Sequence, residues 1–352
     1  MPVPANRPTA PAGSYSYAPY WLVNIPALNG VDQLRFELVV DPSIRQPRCI
    51  VYSFAIGSGW GRETGAIALR HNCVTLIGND HVNNNEFRPG FRAGAAALEA
   101  LARFEPMLGM SLRDLPWWTI AHSGNNGPAT AVVRAMPERA IAMLVLDGGA
   151  TTHASADRAS VVQRGTKLCS PVPATPTANF NPLRLQVPHL HVMGEHDPYW
   201  DDPFDNQALD SSPRKSPAHL FQWMSIGQIA AGIPTTLNVT HREGHRAGAP
   251  WNDGASRGLF DVWVDGIMAL RMPATPGQPL RAIDPNVQGW RGYYRHPYDI
   301  APAAQVPAVS GDRECWLDHA NWFPNEETAR LWQAHARSVP WDGYLARMFG
   351  QP

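Results

Sequence analysis

Apolar positions along this chain fall into two rhythms, short runs suited to strands and longer stripes suited to helices. Tyr20–Ile25 (YWLVNI) and Leu34–Val40 (LRFELVV) read as early strands, the second alternating apolar with polar as a half-covered strand does. Two continuous apolar runs follow: Ile50–Ile56, which enters the Gly-rich segment IGSGWG, and Val74–Ile77. Phe91–Phe104 switches to helical spacing, with Phe91, Ala95, Leu98, Leu101 and Ala102 along one face and Arg92, Glu99 and Arg103 along the other. The run PWWTIAH then stops on Ser123. A helix through Ala129–Ala135 comes next, ended by Pro137, and then the apolar strand Ile141–Leu146.

A Thr/Pro/Ser-rich stretch at about 148–187 interrupts the pattern. Order returns with a strand at Pro188–Met193, a helix around Ala218–Ala231, a strand at Thr235–Val239 and a helix at Ser256–Leu270. Continuous apolar strands alternating with helices predict an α/β protein whose mostly parallel central sheet is flanked by helices. After Met272 the chain becomes Pro-rich, and from Cys315 onward it carries several tryptophans and one helix with Asn325 as N-cap and Glu326 and Glu327 in its first turn. That extension holds too few apolar strands for a core of its own and is expected to wrap over the main domain. The expected organisation is a tail at 1–18, a main domain at 19–272 with a short lid insertion at about 148–187, and a C-terminal extension at 273–352.

Composition narrows the classes. A chain of 352 residues with 44% hydrophobic content can bury a full core. A formal net charge of −1 gives no basic field for nucleic acid or an anionic membrane. No apolar run of about 18 residues is present, so no spanning helix is expected. The Pro/Ala-rich start, MPVPANRPTAPAGS, is common at the mature end of exported proteins; a secreted or periplasmic location is expected, with a cytoplasmic one as the alternative. Cys49 and Cys73 each precede a strand. If those strands are parallel neighbours, the two thiols meet at one sheet edge, as a disulfide or as adjacent buried thiols. Cys169 and Cys315 pair only across a long gap. No Cys spacing typical of a metal site occurs, and neither a metal nor an organic cofactor is expected.

The chemistry concentrates on Ser123. An apolar strand that runs into Ser-Gly and at once into a helix is the setting of a nucleophile elbow, in which the hydroxyl projects from the top of a sheet. Such a serine needs a general base and an acid to orient it. Asp197, in GEHDPYW, and His245, in HREGHRAG, both follow apolar strands and so belong to loops at strand carboxyl ends, where open α/β sheets form their sites. Together Ser123, the GEHD segment and the GH pair resemble an α/β-hydrolase over about Tyr20–Leu270; the extension after Met272 has no counterpart in the minimal fold.

The resemblance implies Ser123 as nucleophile, His245 as base and Asp197 as acid. It implies an oxyanion hole from the Gly124 amide and the Ile56–Gly59 loop, with Gly57 and Ser58 as its donors. The spacing departs from the usual pattern: the positions two before and two after the serine, commonly glycine, are Ala121 and Asn125. Asp147, Asp201 and Asp202 compete with Asp197, and His241 with His245, while His122 and His81 read as structural or surface residues. Trp60, Tyr199, Trp200 and Trp251 fall close to the proposed loops and suggest an aromatic-lined substrate cleft. The expected activity is hydrolysis of a small-molecule, carbohydrate-linked or polymeric carboxylic ester through an acyl-enzyme. A peptidase or amidase of the same fold is one alternative, and a non-catalytic binding protein on a hydrolase scaffold is another.

Overall fold

The structure is a computed structural model and describes residues 20–26, 33–41, 44–54, 70–78, 92–122, 125–146, 181–194, 228–229, 232–240, 254–293, 299–308 and 320–338. It divides into two compact units, one of Met1–Leu146 with Arg271–Arg281, the other of Asp147–Leu270 with Ala282–Pro352.

In the first unit, strands β1 (Tyr20–Pro26), β2 (Gln33–Val39), β3 (Cys49–Phe54), β4 (Cys73–Gly78), β5 (Trp117–His122) and β6 (Ala140–Leu146) lie in the order β1-β2-β4-β3-β5-β6. β2 runs antiparallel to both β1 and β4. From β4 through β3 and β5 to β6 the pairing is parallel. The expected α/β class, with a mostly parallel sheet and flanking helices, is therefore what forms. The sequence pattern explains each strand's exposure. In β2, Leu34, Phe36 and Leu38 are buried while Arg35 is exposed and pairs with Glu37 at 2.9 Å. The continuous runs β3 and β6 are buried along their whole length, as strands covered on both faces must be.

Helix α1 (Arg92–Leu108) forms where the stripe predicts it, but on a different face. Ala95 is exposed and Leu98 only half-buried; the buried stripe is Ala93, Ala96, Ala97, Ala100, Leu101 and Phe104. Alanines let a helix approach its neighbours closely, so the small residues and not the largest ones define the packed side here. The Tyr52 hydroxyl donates to the Ala93 carbonyl at 3.4 Å, and its ring packs on Phe54 (centroids 4.1 Å) and Trp117 (6.1 Å). Complete burial pushes the Tyr52 hydroxyl pKa well up from its ordinary value. Cys49 and Cys73 are register partners on β3 and β4 and form a disulfide. Cys169 and Cys315 lie outside the described residues.

Segment 271–281 is tied to the amino-terminal edge of this sheet. Arg271 Nη2 donates to the carbonyl of Ala140, the first residue of β6, at 2.9 Å, and Arg48 Nη2 donates to the Pro273 carbonyl at 3.0 Å. Arg271 is buried, which lowers its pKa to about 10.

In the second unit, β7 (His189–Gly194) and β8 (Thr235–Thr240) pair in parallel, and helix α3 runs over Gly254–Arg271. The chain after Ala282 forms a small antiparallel sheet, β10-β9-β11, from β9 (Trp290–Tyr293), β10 (Ile300–Pro302) and β11 (Ala320–Phe323), followed by helix α4 (Glu326–Ser338). These short strands were not legible in the sequence, because they span three or four residues and one carries a buried arginine. Arg291 in β9 donates to the Val306 carbonyl at 2.6 Å and to Asn286 Oδ1 at 2.8 Å, so the charge is satisfied inside. At Gly289 (φ 84°) the chain turns against the Phe323 carbonyl and the Trp322 indole, leaving no room for a Cβ. Asn325 caps α4 as the sequence suggests, its Oδ1 accepting the Thr328 amide at 2.8 Å. Among the described residues no helix is long and apolar enough to cross a membrane.

Candidate active site

Every residue the sequence nominates for chemistry lies outside the described residues: Ser123, Asp197 and His245; Gly124, Gly57 and Ser58; and Trp60, Tyr199, Trp200 and Trp251. Asp147, His81 and His241 lie outside them too. What the structure describes is the framework from which their segments depart.

In the first unit that framework is one edge of parallel strands. β3 and β5 are in register at Phe54↔Ala121, and β5 and β6 at His122↔Leu146. The chain therefore leaves adjacent strands, spaced about 5 Å apart, at nearly the same height, toward Ile56–Gly59, Ser123 and Asp147. From β5 the chain passes through residues 123–125 to helix α2 (Asn126–Ala135). This is a strand, a short connection and a helix, the order an elbow requires.

Ala121 and Asn125, the positions two before and two after the serine, are both described. Ala121 is buried in β5 and adds only a methyl group. Asn125 is buried with ordinary right-handed backbone angles (φ −67°, ψ −14°), so the side chain that departs from the glycine pattern sits there without a left-handed conformation. Asn126 is an anchor between elements that sequence reasoning missed. Its Nδ2 donates to the carbonyl of Leu146, the last residue of β6, at 3.1 Å, and its own carbonyl accepts the Thr130 hydroxyl at 2.6 Å. The start of α2 is thereby fastened to the end of the neighbouring strand. The only signal in the sequence was a second asparagine after the Ser-Gly pair. Pro128 falls in the first turn of α2, where its missing N–H costs no helical bond. That turn also carries no acidic residue, so the positive end of the helix is left to whatever precedes it. His122 closes β5 half-buried.

In the second unit, β7 and β8 end level, with Gly194 in register with Thr240. Asp197 follows Gly194 by three residues and His245 follows Thr240 by five, so the segments that carry them start from neighbouring positions on one strand edge. Upstream on β7, His191 is fully buried, and its Nε2 accepts from the Gln228 side-chain amide at 2.8 Å. Burial lowers its pKa to about 3, which makes it a neutral structural residue.

No protein family and no curated protein matches the sequence. Solved structures do resemble it. The poly(3-hydroxybutyrate) depolymerase LpqC from Bordetella parapertussis aligns with a TM-score of 0.46 and 14% identity, over 74% of this chain and 92% of that one. A poly(aspartic acid) hydrolase from Sphingomonas sp. aligns at 0.43 and 10%, over 65% and 93%. A dienelactone hydrolase-like promiscuous phosphotriesterase from metagenomic libraries aligns at 0.43 and 13%, over 71% and 98%. All three scores lie below 0.5.

Proposed function

We propose that this protein is a serine hydrolase of the α/β-hydrolase type that cleaves carboxylic esters through an acyl-enzyme. The observation that carries the reading is the passage from buried strand β5 through Ser123 and Gly124 to helix α2, with Asn126 fastening the helix start to β6. Ser123 attacks the ester carbonyl while His245 takes its proton, and Asp197 orients the imidazole and stabilises its charged form. The tetrahedral oxyanion is met by the amides of Gly124 and of the Gly57–Ser58 segment, which leaves β3 beside β5. His245 returns the proton to the departing alcohol. Water, activated by the same histidine, then releases the acid and restores Ser123.

Trp60, Tyr199, Trp200 and Trp251 line the acyl or alcohol side of the substrate in this proposal. Export is the location we favour, since a buried disulfide between Cys49 and Cys73 belongs to an oxidising compartment. Hydrolysis of a chromogenic short-chain ester tests the reading. Wild type turns it over, and Ser123→Ala loses on the order of a thousandfold or more in kcat. Asp197→Asn costs orders of magnitude where Asp147→Asn does not. Full activity in Ser123→Ala, or none in wild type on any ester or amide, overturns the proposal.

A further inference from the structure

The C-terminal extension grips β8 at two consecutive residues. Asn321 of β11 offers its Oδ1 to the Leu237 amide at 2.6 Å, and Trp332 of α4 donates its Nε1–H to the Leu237 carbonyl at 3.1 Å. Both main-chain groups of one strand residue are thus engaged by side chains from the extension. The neighbouring Thr236 hydroxyl donates to the Trp322 carbonyl and accepts the Trp263 Nε1–H of α3 at 3.0 Å. Asn321, Trp322 and Trp332 are buried, and the Trp332 ring packs on Phe323 with centroids 5.0 Å apart. Asn321 is itself held by pairing between β11 and β9, where it stands opposite Gly292. Buried and polar on both sides, this arrangement fixes where β8 lies along its own axis. β8 pairs with β7 on one side, and on its other side the extension supplies the partners for the edge N–H and C=O of Leu237.

Leu237 stands three residues before the end of β8, and the chain continues from Thr240 to His245. We propose that Asn321 and Trp332 are positioning residues for the His245 base: their two hydrogen bonds to Leu237 set the height at which the chain leaves β8 toward His245. This rests on the reading of His245 as the general base. Neither residue touches substrate in this proposal. They act through the strand, and displacements of about 1 Å in a catalytic group can cost on the order of a hundredfold in rate.

The test compares Asn321→Leu and Trp332→Phe, which remove one hydrogen bond each and keep most of the bulk, with Ile283→Ala. Ile283 is buried in the same extension, and trimming it lowers stability while leaving both hydrogen-bonding side chains, Asn321 and Trp332, in place. Ester kinetics and the titration of His245, followed by NMR and assigned by its loss in His245→Gln, are measured on each full-length protein. In the clamp variants kcat falls about tenfold or more with KM within about twofold. The His245 titration moves to lower pH, because a displaced imidazole loses the carboxylate that favours its charged form. Ile283→Ala lowers the Tm and leaves both readouts at wild-type values. If the clamp variants lower only the Tm, or if Ile283→Ala reproduces their kinetic and titration changes, the positioning role is wrong. If wild type hydrolyses no ester while the His245 titration still responds to the clamp, the esterase reading falls and the positioning role stands.

Discussion

Two asparagines next to the candidate nucleophile show how a single residue's role depends on what it meets. Asn125 was visible in the sequence as a departure from the glycine spacing, yet its backbone is ordinary and its side chain simply finds room. Asn126, one position on, ties α2 to the end of β6, and nothing in its type or spacing distinguished the two. Hydrogen-bond partners come from other parts of the chain, so they are invisible to local pattern. The same holds for His191, which lies in the strand at Pro188–Met193 and is buried with Gln228 as its partner. Its pKa of about 3 in the folded protein lies below the unfolded value near 6.5. Between those limits the unfolded chain binds the extra proton, so stability is complete above about pH 6.5 and declines as pH falls toward 3, at up to about 1.4 kcal/mol per pH unit from this group. Urea unfolding across that range should show a slope in His191→Gln shallower by about one proton. An unchanged slope would mean that His191 is charged, or not buried, in the folded protein.

At the scale of elements, the strands and long helices were legible wherever an apolar run was long enough to show its period. β2 displays the alternation of a half-covered strand, and β6 the unbroken run of one covered twice. The buried face of α1 was misplaced because alanine contributes weakly to an apolar stripe yet packs most closely. β9, β10 and β11 were missed for the opposite reason, since three or four residues contain too little periodicity to read. The cysteine pair was legible as a conditional: parallel neighbouring strands would bring the thiols together, and β3 and β4 are such neighbours. The bond closes a loop with a sequence separation of 24, for which chain entropy predicts a contribution of about 3 kcal/mol. Cys49→Ala/Cys73→Ala should therefore unfold at lower urea than wild type, and a reductant should destabilise wild type more than it does the double variant. Equal midpoints for reduced and oxidised wild type would remove the disulfide from the account of stability.

For the whole molecule, sequence order is a poor guide to which segments cluster. The composition changes after Met272, but Arg271–Arg281 groups with the first unit through Arg271 and Arg48, while the chain from Ala282 belongs to the second and grips β8. Long-range pairings of this kind depend on single hydrogen bonds between residues far apart in the chain, such as Asn321 with Leu237, and no window along the sequence contains both partners. The sequence nominates Ser123, Asp197 and His245 because each follows an apolar run; the three lie outside the described residues, and what the structure describes is the strand that precedes each, β5 in the first unit and the parallel neighbours β7 and β8 in the second. The proposed chemistry requires Ser123 to be an activated nucleophile. Treating the native protein with a fluorophosphonate and mapping the adduct by mass spectrometry tests it most directly. One phosphonyl group per chain is expected, on Ser123, with no labelling of His245→Gln or of protein unfolded beforehand. An adduct on another residue, or no adduct on the folded wild type, would contradict it.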